Sequence, residues 1–180
     1  ALRFDGANDQ LLLPAPPATN SFCLIAVFRT SQSHEIDPEN AGGVGGVSGQ
    51  RYLFGAQHGG DANAGAGLSV GTNGISVYEH GSSYMPALAV SAAPVGSGAV
   101  VVAVNYDERR VSLDVQGVEV RTGQTSPRAA VTAPMEIGSG AYGAFGGDLA
   151  EVLLYRRALT ADERQGLARH FAARYGIRIA

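Results

Sequence analysis

Residues 142–176, YGAFGGDLAEVLLYRRALTADERQGLARHFAARYG, decide the fold of this chain. The apolar run Leu149–Tyr155 is typical of a β-strand. Behind it, Thr160 and Glu163 stand three positions apart, which is the spacing of a capping box at the start of a helix. The stretch therefore predicts a strand that is followed closely by a helix.

The predicted helix has one apolar side. Leu167, Phe171 and Tyr175 recur at every fourth position, so they lie on one face of an α-helix. Gly176 is well placed to take the left-handed conformation that commonly ends a helix. Together these signals predict one short helix near the C-terminus.

The rest of the chain contains short apolar runs bounded by turn residues, and each run predicts a strand. The runs are Leu2–Phe4, Gln10–Leu13, Phe22–Thr30, Arg51–Phe54, Gly67–Val70, Ile75–Glu79, Leu88–Val90, Ala99–Tyr106, Val111–Gln116, Val118–Arg121 and Met135–Ile137. Asn73-Gly74 is a strong hairpin signal. About a dozen strands with tight turns predict an all-β fold: a two-sheet antiparallel jelly-roll sandwich with one short C-terminal helix.

The composition is that of one globular domain spanning residues 1–180. Hydrophobic residues make up 45% of the chain and charged residues 16%, and 25 glycines suit many tight turns. A net charge of −3 gives no reason to expect nucleic acid as a partner. No run reaches the ~18–20 apolar residues that span a bilayer, so membrane insertion is not expected. The single cysteine, Cys23, lies in an apolar run and is predicted to be a buried hydrophobe.

Four stretches, in this order, resemble a bacterial concanavalin A-like (LamG-like) jelly-roll domain. They are LRFDGANDQLLLP (2–14), GISVYEHGSSYMPAL (74–88), VVVAVNYDERRVSLDVQGVEV (100–120) and the opening stretch 142–176. The last is the most specific, since Tyr155, Arg157 and Leu159 stand before a capped terminal helix. The resemblance implies the sandwich fold, but this fold carries enzymes, lectins, adhesion modules and spacers.

Glu35-Ile36-Asp37-Pro38-Glu39 places three carboxylates at alternate positions, as retaining jelly-roll glycosidases do on one strand. Pro38 cannot donate to a sheet ladder, and the glycine-rich segment behind it cannot extend a strand. In the laminarinase-type enzymes that this fold resembles, the trio lies deeper in the chain, and aromatic residues, often Trp, line the cleft. This chain has no Trp. The segment is therefore predicted to be a solvated loop, and the protein is predicted not to be an enzyme.

Two aspartates raise the question of a metal. The resemblance implies a structural calcium ion where the first and last strands meet, and Asp5 and Asp148 are the candidate ligands. Calcium takes six to eight oxygen ligands from carboxylates, carbonyls and water. The alternative is that Asp5 caps the turn before Gly6 and that Asp148 only starts a strand.

Polar and aromatic residues suited to sugar recognition concentrate between positions 58 and 84. The candidates for carbohydrate binding are Tyr78, His80, Tyr84, His58, Asp61 and Asn63. A sugar site needs an aromatic platform and convergent hydrogen-bonding groups. Tyr78 and His80 lie on one face of their predicted strand, and Glu79 lies on the other. The alternative is that Tyr78 belongs to the core and that the segment serves the fold alone.

From these observations we expect a non-catalytic carbohydrate-binding or adhesion module, with a glycan or polysaccharide as its partner. We expect it to be part of a larger secreted, cell-surface or virion protein. The second interpretation is a structural or assembly module, a decoration, fibre or spacer domain that contacts other protein chains. A glycoside hydrolase is the third.

Overall fold

A computed structural model describes residues 1–82 and 85–179. In chain order the elements are β1 (Leu2–Asp5), β2 (Leu11–Leu12), β3 (Phe22–Arg29), β4 (Tyr52–Gly55), β5 (Asn63–Gly71), β6 (Gly74–His80), β7 (Ala87–Ser91), β8 (Val100–Asp107), β9 (Arg110–Val115), β10 (Val118–Thr125), β11 (Ala130–Thr132), β12 (Glu136–Ile137), β13 (Ser139–Gly140), β14 (Gly143–Ala144), β15 (Gly146–Tyr155) and α1 (Ala161–Tyr175). The predicted all-β sandwich with a C-terminal helix is confirmed.

The strands form two main sheets. The first sheet has the order β1-β15-β3-β8-β9-β10, and the second has the order β2-β12-β4-β5-β6-β7. The neighbours in both orders run antiparallel, while β11 pairs with β5 in parallel. Strands β13 and β14 form a small hairpin beside β4. Because β1 pairs with β15, the two ends of the chain's strand sequence meet in the first sheet.

Strand β3 is buried on both faces, which explains its uninterrupted apolar sequence. Leu24 and Phe28 point into the space between the sheets. Cys23 and Ile25 point the other way and pack beneath Phe171 of α1. The prediction that Cys23 is a buried hydrophobe is confirmed, and each large apolar side chain buried in this way contributes about 1.5–3 kcal/mol.

The helix begins and ends where the sequence predicts. The Thr160 hydroxyl accepts a hydrogen bond from the backbone N–H of Glu163, and the Glu163 carboxylate accepts one from the Thr160 N–H, which completes the capping box. Gly176 ends the helix with φ of 65°, a left-handed conformation that suits glycine. Arg164 anchors α1 to the first sheet through a buried ion pair with Asp114, at 2.8 Å.

One expectation about the regular structure is wrong. Strand β5 begins at Asn63, whereas the sequence predicts a strand that begins only at Gly67. Its first residues, Asn-Ala-Gly-Ala, have little strand propensity, and they are held by the parallel partner β11. Strand β11 itself is too short to stand out in the sequence.

A carboxylic acid lies inside the apolar core. Glu79 follows Ile75 and Val77 on the core-facing side of β6, as the alternation predicts, and it is 2% exposed. The hydroxyl groups of Tyr106 and Ser126 donate hydrogen bonds to its two carboxylate oxygens. Burial outweighs these bonds and raises the pKa of Glu79 to about 7.

We expect this group to make the free energy of unfolding fall as the pH rises from about 4.5 to about 7. Over this range the folded chain keeps the Glu79 proton and the unfolded chain loses it, at about 1.4 kcal/mol for each pKa unit. Glu79→Gln removes this dependence, whereas Glu35→Gln at an exposed position should keep it. Denaturant melts of the three proteins across this range measure the effect, and parallel curves for wild type and Glu79→Gln would contradict it.

Candidate functional site

The second sheet has an outer face that points away from the core. Along β6, Ile75 and Val77 face the core, so Ser76, Tyr78 and His80 lie on this outer face. This face carries Tyr78 and His80, two of the residues that the sequence assigns to sugar binding.

Residues 34–50, here called the strap, cover the middle of this outer face. Gly46 of the strap lies directly on Tyr52, Tyr78 and Met85, which are all at most 1% exposed. A Cβ atom added at Gly46 would lie 2.8 Å from Cδ1 of Tyr78 and 2.7 Å from Cβ of Met85. Since its φ is also +67°, only glycine fits this contact.

Carboxylates hold the strap in place. Oδ2 of Asp37 accepts hydrogen bonds from the Tyr78 hydroxyl at 2.9 Å, from the Gly46 N–H at 2.8 Å and from Gln50 Nε2 at 2.9 Å. Glu39 forms an ion pair with Arg121. The prediction of a solvated loop is therefore wrong for Asp37 and Glu39, whose carboxylates bind Tyr78 and Arg121 of the two sheets. Glu35 is exposed, as predicted.

His34 attaches the start of the strap to the second sheet. Its Nδ1 lies 2.8 Å from the Ser69 hydroxyl, and its backbone N–H donates to the side chain of Asn73. Burial lowers the pKa of His34 to about 4, so the ring is neutral at physiological pH.

Tyr78 is not the exposed sugar platform that the sequence suggests. Its ring is 0% exposed under the strap, and its hydroxyl is bound to Asp37. Burial raises the pKa of Tyr78 to about 12. The alternative interpretation, in which Tyr78 is a packed structural residue, is the correct one. Tyr84 lies outside the described residues, so its predicted role in sugar binding stays a prediction.

At the end of the outer face, three rings form a row here called the histidine–tyrosine cluster: His58, His80 and Tyr142. The His58 and His80 ring centroids are 4.9 Å apart, and those of His80 and Tyr142 are 5.6 Å apart. Both contacts are edge-to-face, a favoured geometry for aromatic pairs. His58 is exposed, Tyr142 is half-buried and His80 is 6% exposed.

Hydrogen bonds give the two imidazoles opposite roles. Nδ1 of His58 accepts from the Gly60 N–H at 3.1 Å, so Nε2 carries the proton of the neutral ring. Nδ1 of His80 lies 3.0 Å from the Ala56 carbonyl oxygen and must donate to it, which leaves Nε2 as an acceptor. In the neutral rings, Nε2 of His58 is therefore a donor and Nε2 of His80 is an acceptor.

The structure brings together some of the predicted residues and adds one. Asp61 is exposed in the segment that joins His58 to β5, and Asn63 is exposed as the first residue of β5, so both are close in the chain to His58. Tyr142 was missed, although it lies alone among small residues between β13 and β14. An aromatic side chain in a glycine-rich turn is the signal that could have found it.

The predicted calcium ligands have other partners. Oδ1 of Asp148 accepts from Arg3 Nε at 2.8 Å, and Oδ2 accepts from Arg29 Nε at 2.7 Å, so Arg3, Asp148 and Arg29 link β1, β15 and β3. The Arg3 guanidinium, with that of Arg29, holds the pKa of Asp148 well below its usual range. Asp5 caps the following turn by accepting from the N–H groups of Ala7 and Asn8.

This arrangement does not fit a calcium ion, because both oxygens of Asp148 are bound to cations. Within residues 1–82 and 85–179, no three His, Cys, Asp or Glu side chains are grouped so that they could hold a metal. Calcium at Asp5 and Asp148 thus stays a sequence prediction that would require both arginines to move away.

We expect the melting temperature to be the same in EDTA and in millimolar CaCl₂. An ion at one hundred times its dissociation constant would add ~2.7 kcal/mol, which a thermal melt detects easily. Asp148→Asn should lower the melting temperature equally in both buffers, since it removes the partner of two arginines. A calcium-dependent rise that Asp148→Asn abolishes would restore the calcium site.

A cleft of about 490 Å³ lies on the other sheet, beside the start of α1. Arg164 forms part of its lining and is bound to Asp114, to Glu119 and to a backbone carbonyl. These bonds join the helix to the sheet, so the Arg164 guanidinium is already bound within the fold.

The chain belongs to the concanavalin A-like lectin/glucanases superfamily, whose profile matches residues 5–163. This confirms the resemblance seen in the sequence. No curated protein matches the chain. Among the residues that the structure describes, no helix is long and apolar enough to cross a membrane.

Solved structures share the fold at low identity. The heptameric SAP-like pentraxin of Limulus polyphemus has a TM-score of 0.62 and 12% identity, over 92% of this chain and 80% of the pentraxin. Domain 4 of an extracellular arabinanase from Geobacillus stearothermophilus, in complex with arabinotriose, has a TM-score of 0.62 and 15% identity, over 92% of this chain and 75% of that one. Trypanosoma rangeli sialidase has a TM-score of 0.60 and 20% identity, over 92% of this chain but 27% of its own.

Proposed function

We propose that the protein is a non-catalytic carbohydrate-binding module and that the histidine–tyrosine cluster is its sugar site. The observation that carries the proposal is the row of three rings with one donor and one acceptor nitrogen. Aromatic rings pack against the C–H faces of sugars, and a donor beside an acceptor matches neighbouring hydroxyl groups. The arabinanase domain solved with arabinotriose supports a sugar ligand for this fold.

The proposal excludes hydrolysis by the acidic trio. A retaining glycosidase needs two carboxyl groups about 5–5.5 Å apart on either side of the scissile bond. Here Glu39 is bound to Arg121 and to the Val90 N–H, and Asp37 is bound to Tyr78. These carboxylates hold the strap and have no free position beside a substrate.

We further propose that the module belongs to a larger secreted, cell-surface or virion protein. A non-catalytic domain that binds a glycan serves to hold another domain or a particle near that glycan. The 27% of the sialidase chain that this fold matches is consistent with such an arrangement.

We expect Tyr142→Ala and His58→Ala each to weaken sugar binding at least about tenfold, equal to about 1.4 kcal/mol, with little loss of stability. His170→Ala on the exposed side of α1 is the matched control and should bind like the wild type. Tyr78→Ala should instead cost about 3–5 kcal/mol of stability, because it leaves a cavity under the strap.

A glycan array on the isolated domain identifies the ligand, and titration calorimetry with that ligand compares the variants. Binding that survives both Tyr142→Ala and His58→Ala would place the sugar site elsewhere. An array without any binding would contradict carbohydrate binding and favour the second candidate function.

That second candidate is an assembly module that contacts other protein chains. Its supporting observation is an apolar patch at the sheet edges, where Leu2, Leu11 and Leu12 are 55%, 46% and 63% exposed. Ile137 and Leu149 line a groove of about 370 Å³ beside them. Exposed patches of this kind often mark protein contacts.

If this edge joins copies of the chain, Leu12→Lys should convert an oligomer to a monomer because it places a charge in the contact. Val44→Lys is the control, since Val44 is 72% exposed on the strap, away from the patch. Sedimentation velocity of the three proteins measures the effect. A monomeric wild type at high concentration would remove self-assembly as the function.

A further inference from the structure

The surroundings of the histidine–tyrosine cluster restrict the kind of glycan that it can take. We propose that the cluster binds the terminal sugar of a glycan and does not bind an internal segment of a polysaccharide chain. This inference rests on the proposed carbohydrate-binding function and adds the class of ligand.

The strap blocks the direction along β6. Tyr78 lies two residues from His80 on the same face, on the order of 7 Å away at the usual rise of a strand. Gly46 of the strap lies on the Tyr78 ring, and Asp37 holds the Tyr78 hydroxyl. A sugar chain that continued from the cluster along this strand would therefore meet the strap.

The neighbouring strand is blocked as well. Gly65 of β5 stands opposite His80 in the sheet. A Cβ atom at Gly65 would lie 2.8 Å from the backbone nitrogen of Gln57, and one at Gly67 would lie 2.7 Å from Cβ of Ala56. The chain leading to His58 thus crosses over β5 beside the cluster, and no sugar chain can lie across that strand.

The third side is closed by the β13–β14 hairpin. Its turn places Tyr142 against His80, so the ring forms a wall of the cluster. With the strap and the segment over β5, the hairpin closes three sides of the cluster, so a sugar chain cannot enter on one side and leave on the opposite one.

The strap is fixed firmly enough to act as a barrier. Asn40 donates its N–H to the Ala87 carbonyl oxygen at 3.0 Å, and the Tyr52 hydroxyl donates to the Gly46 carbonyl oxygen at 2.7 Å. Glu39 accepts from the Val90 N–H at 2.7 Å. These bonds add to those of Asp37 and attach the strap to β4, β6 and β7.

The test measures affinity against chain length. Arabinan, β-glucan and galactan oligomers, from the disaccharide to the hexasaccharide, are titrated against the wild-type domain. For the series that binds, we expect the dissociation constant to stay within about twofold from trisaccharide to hexasaccharide. An affinity that rises about tenfold with length overturns the terminal-sugar inference and leaves carbohydrate binding intact. Absence of binding in every series contradicts the proposed carbohydrate-binding function, and with it the terminal-sugar inference.

Gly46→Ala tests the strap directly, because its new Cβ pushes the strap away from Tyr78 and Met85. We expect this variant to gain affinity for the hexasaccharide over the trisaccharide. Gly42→Ala is the matched control, because its Cβ would meet only the Asn40 side chain, at 3.9 Å. Its dissociation constant should not change with the length of the oligosaccharide. Acrylamide quenching of tyrosine fluorescence reports whether the strap has moved.

A folded Gly46→Ala domain with exposed tyrosines, whose dissociation constant does not change with oligosaccharide length, would show that the strap is not the barrier. If Gly46→Ala fails to fold, Asp37→Ser loosens the same strap by removing three hydrogen bonds, and its length profile decides the question in the same way.

Discussion

Both sheets of this sandwich carry a cluster of apolar residues on the outer face as well as in the core, so both clusters must be covered. Antiparallel sheets usually leave one face to water. Here α1 covers the first sheet over Ile25, and the strap covers the second sheet over Tyr52 and Tyr78. The histidine–tyrosine cluster lies where the strap ends, since Gly143 beside Tyr142 lies against the backbone of Gln50.

The strap shows how an acidic segment can become part of a fold. Residues 34–50 form no named strand, so their backbone groups need other partners. The Asp37 carboxylate supplies one by accepting from the Gly46 N–H, and it also accepts from the Tyr78 hydroxyl. The Glu39 carboxylate ties the strap to the sheets by accepting from the Val90 N–H and from Arg121. A pattern that looks like glycosidase chemistry is in this chain a set of attachments.

The carboxylate of Asp148, where the first and last strands meet, is likewise bound by other side chains of the fold. A carboxylate at this position needs a cation, and two guanidinium groups provide it from the neighbouring strands. Arginine suits this position because its planar fork can bind a carboxylate with two parallel hydrogen bonds, as Arg3 does. Superfamily membership by itself would have suggested a metal, so the function of a member has to be argued from its own side chains.

The sequence by itself determined the sandwich, most of its strands and the capped helix. These features depend on local patterns: alternation along a strand, a capping box and a glycine at the helix end. It also brought His58 and His80 into one candidate site and placed Glu79 on the opposite face from Tyr78, because alternation fixes the face of each side chain.

Only the tertiary structure decided which residues of that candidate site are open. Tyr78 is covered because a segment some thirty residues earlier in the chain folds back over it, and no local pattern encodes that contact. Tyr142 joins His80 because a hairpin some sixty residues later lies beside β4. Asp148 is bound by Arg3 and Arg29, which are its neighbours only through sheet pairing. Exposure and ionic partners depend on contacts between distant parts of the chain, whereas secondary structure depends largely on neighbours.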